Sequence, residues 1–139
     1  MMGRHKHPII LARWIAALGR AQPVLGLNHW DVFADVVDRL VGIAPDGSRR
    51  PEHAEARISH TPETGRVALS MLAIRHRVDL DFLAAHELAH LRLDEIKERL
   101  CFSAPIEKSE AFRVFEESVC DLIAQCIRRA RRRNERQRQ

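Results

Sequence analysis

Stretches with apolar residues at helical spacing recur along the chain and predict most of its elements. Residues 8–20 carry apolar side chains on one helical face, with Pro8 suited to the first turn and Gly19 to the end of a helix. A second helix is predicted after Asn28, which can act as its N-cap, and the turn-forming sequence at 42–48 would end it. Its buried stripe would consist of Val32, Phe33, Val36, Val37 and Leu40.

The middle of the chain predicts a β-hairpin. Polar residues at 48–55 indicate an exposed loop, and short segments at 56–60 and 66–72 flank the turn-forming residues 61–65. The inward face of the second segment would be formed by Val67, Leu69 and Met71. Alanine, leucine and methionine tolerate a helix equally well, so composition leaves that alternative open.

Two further helices are predicted in the second half of the chain. Asp79 or Asp81 can cap a helix that runs to about Arg99, and a linker follows at 101–106. The last helix begins near Ser109. Its inward residues would be Phe112, Phe115, Val119, Leu122, Ile123 and Cys126. Helices combined with a small antiparallel sheet predict a single α+β domain.

The formal net charge of +4 comes from one part of the sequence. Seven arginines fall within residues 128–139, where Glu135 alone opposes them. Residues 1–127 are close to neutral and carry no strong signature of nucleic-acid binding. We therefore divide the chain into a domain at 1–127 and an arginine-rich C-terminal tail at 128–139. The tail could be a disordered solubilising segment, a helix that docks on an acidic partner, or a weak contact with nucleic acid.

The cysteines and the apolar segments bear on where the protein works. Cys101, Cys120 and Cys126 show no C-x-x-C spacing, and the last two would face different sides of one helix. Free thiols are typical of a reducing compartment, so we expect a cytoplasmic protein. Arg13 interrupts the first apolar run, which favours an amphipathic helix over a signal peptide. No run is long enough to span a membrane, and no membrane contact is expected.

Residues 86–90 read H-E-L-A-H, an H-E-x-x-H pattern. On a helix, His86 and His90 lie one turn apart on the same face, with about 5–6 Å between their Cβ atoms. Two imidazoles at that separation can both direct a ring nitrogen at one zinc ion. Glu87 falls on the adjacent face, where it can act on a water at the metal without binding the metal. The alternative is a surface helix with two solvated histidines.

A catalytic zinc site of this kind needs a third protein ligand. Leu93 and Ile96 stand where a metzincin would need glycine and histidine, so that class is excluded. Asp94 lies one turn further along the same helix, and three turns of one straight helix cannot surround a tetrahedral ion.

The last helix offers better candidates for the third ligand. Glu117 and Asp121 are spaced i, i+4 and therefore share one face of it. Glu117 can complete a metal group with the two histidines, and Glu116 is the next choice. Asp121 can accept a hydrogen bond from the outer N–H of a ligating histidine and so fix its tautomer. The alternative is that Glu116 and Glu117 are solvated helix charges.

Together the two motifs resemble those of gluzincin metallopeptidases, and more narrowly those of the ImmA/IrrE family. In that family H-E-x-G-H-L is followed by a helix with E-x-E-A-N-x-F-A. Here H-E-L-A-H-L at 86–91 is followed by E-S-V-C-D-L-I-A at 117–124. Glu117 takes the place of the first glutamate and Asp121 that of the asparagine, whereas Ala89 replaces the usual glycine.

The resemblance covers roughly residues 56–127 and implies a zincin-like fold, in which the active-site helix packs against a glutamate-bearing helix. It implies a zinc-dependent metalloendopeptidase with Glu87 as general base. The Zn²⁺ ligands would be His86, His90 and Glu117. The substrate would be a protein or peptide, such as the helix-turn-helix repressors that several members of the family cleave.

One part of a peptidase site is not visible in the sequence. Gluzincins often stabilise the tetrahedral oxyanion with a tyrosine or histidine, and this chain contains no tyrosine. His60, His76 and Arg113 are the available candidates, and each could equally be a surface residue. The alternative function is a zincin-fold zinc-binding protein without proteolytic activity that acts through a protein or nucleic-acid partner.

Overall fold

The computed structural model describes residues 5–51, 54–100 and 109–138. They form a mixed α+β domain built from α1 (Pro8–Val24), β1 (Asp31–Val37), β2 (Val41–Ile43), β3 (Arg49–Pro51), β4 (Ala56–Thr61), β5 (Thr64–Ser70), α2 (Met71–Arg75), α3 (Leu80–Arg99) and α4 (Glu110–Gln137). No helix in these ranges is both long and apolar enough to cross a membrane. The linker predicted at 101–106, with Cys101, lies outside the described residues.

The main sheet has three strands in the order β1-β5-β4. β4 and β5 pair antiparallel, as the hairpin prediction requires, but β1 pairs parallel to β5. The sheet is therefore mixed rather than purely antiparallel. β2 and β3 form a separate antiparallel hairpin that was not predicted, with Ile43 80% exposed and β3 exposed throughout.

Residues 31–37 form a strand, so the predicted second helix is wrong. In β1, Val32, Ala34 and Val36 turn toward the core, whereas Phe33 is 52% exposed. Alternation with a period of two is the pattern of a half-buried strand. Valine is branched at Cβ, which restricts its χ1 angle in a helix and suits a strand. The apolar residues of this segment do not indicate that it pairs with β5, and that pairing is what makes it a strand.

The predicted β-hairpin is confirmed. β4 and β5 are joined by a two-residue loop at Pro62 and Glu63, and Glu63 adopts a positive φ of 62°. Val67 and Leu69 are fully buried as expected. Met71 is not part of the strand, because the side chain of Ser70 caps the short helix α2 by accepting from the backbone N–H of Leu72.

α1 continues beyond the predicted end at Gly19 and packs on β1 and α3. Its buried residues are Trp14, Ala17, Leu18 and Ala21. The indole N–H of Trp14 donates to the backbone oxygen of Val67 at 3.0 Å, which ties the helix to β5. Ile15, which belongs to the same apolar run, is 53% exposed.

α3 is the central helix, packed between α1 and α4 and against β4. Of the two predicted caps, Asp79 is the one that forms, because its side chain accepts from the backbone N–H groups of Asp81 and Phe82. Every residue from 83 to 89 is buried. A Cβ added at Gly65 of β5 would lie 3.3 Å from Leu91, so glycine allows the helix to approach the sheet closely.

α4 begins where predicted, since Ser109 accepts a hydrogen bond from the backbone N–H of Phe112. The residues that it buries are Cys120 and Ala124. The prediction for its inward face is wrong at Phe115, Leu122 and Cys126, all of which are exposed. α4 meets α3 through small residues and carboxylates, so its apolar residues do not mark the contact face. The helix continues to Gln137 and includes most of the arginine-rich segment.

Candidate metal centre

His86 and His90 stand side by side on α3, as their spacing predicts. Their ring centroids are 5.0 Å apart, and the two Nε2 atoms lie 3.2 Å from each other. Both side chains are mostly buried, with 11% and 14% of their surfaces exposed. The alternative of two solvated histidines on a surface helix is therefore excluded.

Glu117 reaches this pair from α4. One carboxylate oxygen lies 3.1 Å from Nε2 of His86, and the other lies 2.9 Å from Nε2 of His90. The donor atoms of the three residues all fall within 4.8 Å of one another. The group formed by His86, His90 and Glu117, which we call the metal group, could hold a metal ion.

Each histidine also has a carboxylate behind it. Nδ1 of His86 lies 2.8 Å from Asp121, and Nδ1 of His90 lies 3.0 Å from Glu116. A carboxylate accepts, so Nδ1 of each ring donates its proton outward, and each Nε2 is left to bind either a metal ion or a proton shared with Glu117. Glu116, the other candidate for the third ligand, thus contacts the outer nitrogen of His90 and not the side that faces Glu117.

Lys97 was not identified from the sequence as a residue near the metal group. Its ammonium donates to Glu116 at 2.7 Å and lies 2.9 Å from Asp94. Burial opposes its charge, but the hydrogen bonds to Glu116 and Asp94 outweigh burial and raise the pKa of Lys97. A signal was present, because Lys97 lies two turns after His90 and thus shares its helix face.

Glu87 is buried, with 8% of its surface exposed, and it lines the same cavity as His86 and Asp121. Burial raises its pKa, and the nearby Glu117 acts in the same direction, against the opposing effect of the two histidines. A cavity of about 270 Å³ opens beside it, with Val78, Phe82 and Leu83 on its wall and Glu55 at its border. A buried carboxyl at the edge of a cavity is placed to exchange a proton with a molecule bound there.

Cys120 lies beneath the metal group, fully buried. Burial and the surrounding carboxylates of Glu116, Glu117, Glu87 and Asp121 raise the pKa of its thiol to about 12. A thiol in this state is neither a nucleophile nor a ready metal ligand at neutral pH. Cys120 therefore acts as a small packing residue that lets α4 approach α3.

The structure separates the three candidates for an oxyanion donor. His60 is bonded to Asp94 at 2.9 Å, and His76 is bonded to Glu55 at 2.9 Å, so each has a carboxylate partner outside the metal group. Arg113 lies one turn before Glu117 and lines an open groove with Glu117 and Asp121. Of the three, Arg113 is the one that shares a groove with a member of the metal group.

Comparison of the chain with models of protein families, with curated proteins and with solved structures finds no match.

Proposed function

We propose that the chain is a zinc-dependent metalloendopeptidase with a zincin-like architecture. One observation carries the proposal: three hydrogen-bond acceptors converge, the Nε2 atoms of His86 and His90 and the carboxylate of Glu117. Their lone pairs face one another at 2.9–3.2 Å, which is unfavourable unless a cation or protons lie between them. Since Asp121 and Glu116 hold the ring protons on the outer nitrogens, a metal ion is the natural occupant.

The donor set and its spacing fit zinc. Nitrogen and oxygen ligands bind zinc at about 2.0–2.1 Å, and two such ligands in a tetrahedron are about 3.3 Å apart. The separation of 3.2 Å between the two histidine nitrogens lies close to that value, and the two oxygens of Glu117 lie 3.1 Å from His86 and 2.9 Å from His90. Three protein ligands leave one position of the tetrahedron for water or substrate, as in catalytic rather than structural zinc sites.

Glu87 supplies the proton transfer in this proposal. When bound, zinc would act as a Lewis acid that makes a water acidic enough to lose its proton near pH 7. Glu87 would accept that proton and return it to the amine that leaves. The position of Glu87, buried at the edge of the cavity, suits both steps, because a general base must lie within reach of the water and of the leaving amine.

A peptide can reach the site along the edge of the sheet. Within the described ranges β4 pairs with β5 and with no second strand, so an extended chain could add to the sheet at its other edge. The first residue of β4, Ala56, borders the cavity beside Glu87. These features support a protein or peptide substrate. The suggestion of a helix-turn-helix repressor rests on the motif resemblance to the ImmA/IrrE family.

The decisive variant is Glu87→Gln, with Glu98→Gln as its matched control on the exposed side of the same helix. We expect Glu87→Gln to keep about one zinc per chain and to lose at least about 100-fold in cleavage of an unfolded protein, the scale of general base catalysis. Mass spectrometry measures the zinc content, and the release of labelled peptides from casein measures the cleavage. Equal cleavage by both variants would exclude the mechanism.

A second candidate is a zinc-binding protein that does not cleave peptides. Two observations favour it: the chain has no tyrosine, and the site offers Arg113 alone of the three oxyanion candidates. In that case wild type would bind zinc and show no cleavage above that of Glu87→Gln. Arg113→Ala separates the two functions, since a loss of cleavage with unchanged zinc content assigns Arg113 to a peptidase.

A further inference from the structure

Four arginines of α4 share one exposed face. Arg129, Arg132, Arg133 and Arg136 follow the spacing i, i+3, i+4, i+7, and all four are exposed. We call this surface the arginine face. Within the part of the chain that the structure describes, its members have no acidic partner; the one acid nearby, Glu135, pairs with Arg131. The face is therefore a row of unneutralised positive charges.

The other side of this segment is fastened to the body of the protein. Arg131 pairs with Asp81 at the start of α3 at 2.5 Å, and Asp81 also accepts from Arg20 of α1 at 2.8 Å. The guanidinium of Arg128 lies over the ring of Phe82, 5.0 Å from its centroid. These contacts hold the helix in place and leave the arginine face turned outward, so its charges are presented on a rigid element.

The arginine face has a linear charge density comparable to that of one strand of nucleic acid. From Arg129 to Arg136 the helix rises about 10.5 Å, which gives an average of about 3.5 Å between successive charges. One strand of nucleic acid carries a phosphate charge about every 3.4 Å along its axis. Like charges at i, i+3 and i, i+4 repel one another along a helix face, and bound phosphates would relieve that repulsion.

The composition of the segment argues against two other anionic partners. A helix that docks in a protein groove presents apolar anchors at i, i+3, i+4 and i+7, and a helix that lies on a membrane needs an apolar face. Between residues 128 and 138 the one apolar side chain is that of Ala130. The segment also lacks an aromatic residue on which unpaired bases could stack, so a single strand is a poorer fit than a duplex.

We propose that the arginine face binds the phosphate backbone of double-stranded nucleic acid without reading its sequence. Guanidinium groups form paired hydrogen bonds to phosphate oxygens, and contacts to phosphates position a protein on a duplex but carry no sequence information. Phosphate binding at this face requires neither a metal ion nor Glu87, so it can succeed or fail independently of the peptidase.

The test uses the full-length protein and a fluorescent DNA duplex of about 20 base pairs, titrated by anisotropy in 50 and 200 mM salt. Four phosphate contacts predict a slope of log K against log salt of about −3.6, and thus about 100-fold weaker binding at the higher salt. The variant with all four residues of the arginine face changed to glutamine should bind at least about tenfold more weakly at 50 mM salt, with a slope near zero.

The matched control removes the same number of charges elsewhere, in the quadruple variant Arg13→Gln, Arg39→Gln, Arg49→Gln and Arg75→Gln, all at exposed positions. Both variants change the formal net charge from +4 to 0, so net charge cannot explain a difference between them. We expect the control to keep the wild-type slope. Equal weakening of the two variants, or a wild-type slope shallower than −1, would overturn the proposal.

Two additional arms complete the test. Changing the four arginines to lysine keeps the charges, and it should retain most of the salt slope even if the glutamine variant loses helix by circular dichroism. An acidic peptide and vesicles rich in phosphatidylserine replace the duplex in parallel titrations. Tighter binding to either one than to DNA at the same salt would assign the face to a protein or a membrane and reject the duplex.

Discussion

The two halves of α4 use charge in opposite ways. In the first half, Glu116, Glu117 and Asp121 each contact a histidine of α3. In the second half, Arg128 and Arg131 contact α3, while the four residues of the arginine face contact no acid of the described chain. Acids early and bases late also suit the helix dipole, so the order of charges stabilises the helix in any case. The two halves therefore differ in whether their charged side chains contact residues of α3, and not merely in carrying charge.

The largest expected effect is at Glu117. The variant Glu117→Ala removes one of three donors from the metal group, and zinc affinity should fall by more than about 100-fold, the upper range for outer partners. Glu110→Ala, an exposed glutamate in the first turn of the same helix, is the control and should retain wild-type affinity. Competition with a chromogenic chelator measures both. If Glu117→Ala kept the wild-type zinc affinity, Glu117 would not be a ligand, and the first half of α4 would not contribute a donor to the metal group.

The next effect compares the two outer carboxylates. Loss of such a partner costs about 10–100-fold in metal affinity. Glu116→Ala should lie near the upper end, because it also removes one of the two carboxylates that pair with Lys97. The side chain of Asp121 is 53% exposed, so water can replace it in Asp121→Ala. Zinc titration calorimetry ranks the two variants. The reverse order would show that burial of the outer carboxylate does not control the affinity.

A smaller effect is expected at Lys97. The variant Lys97→Met keeps much of the side-chain volume but leaves Glu116 and Asp94 without their shared ammonium. The free energy of unfolding should fall by about 1–3 kcal/mol, the cost of losing one partner of charged hydrogen bonds. Urea denaturation measures this, and Lys6→Met on the exposed surface is the control. Equal stability of the two variants would mean that the Lys97 pairs contribute nothing.

The smallest effect concerns Asp81, whose ion pair with Arg131 joins the second half of α4 to α3. Burial raises the pKa of Asp81, but Arg20 and Arg131 outweigh it and lower the pKa below its usual range. The folded protein therefore releases this proton more easily than the unfolded chain, and the resulting stability is present above about pH 4 and lost as the pH falls through the lowered value. Asp81→Asn should cost about 1 kcal/mol at pH 7, and less at pH 3, by urea denaturation.

The elements of the chain differ in how well sequence predicted them. The end of α3 and the start of α4 were predicted to within a residue, and the start of α3 was narrowed to two possible caps, of which Asp79 forms. Asp79 and Ser109 cap their helices through local contacts that sequence spacing reveals. β1 was mistaken for a helix, because its strand conformation depends on pairing with β5, far away in the chain. The sequence thus predicted helix ends that depend on neighbouring residues, but not a strand that depends on a distant segment.

The same distinction holds within the candidate metal centre. The spacing of His86 and His90 follows from the helix alone, so their convergence was predicted. Glu117 and Asp121 lie with the histidines as expected, although only packing of α3 on α4 could decide which nitrogen each carboxylate would meet. Lys97 was missed, because its partner Glu116 is on another helix.

The hairpin of β2 and β3 gives experimenters a place to modify the protein. Residues 45–48 of its turn are exposed, and Gly47 there adopts a positive φ of 83°. The hairpin belongs to neither the three-stranded sheet nor the contact between α3 and α4. Exposed loop tips of this kind tolerate insertion. An affinity peptide or fluorophore inserted between Asp46 and Gly47 would label the protein while leaving both halves of α4 intact.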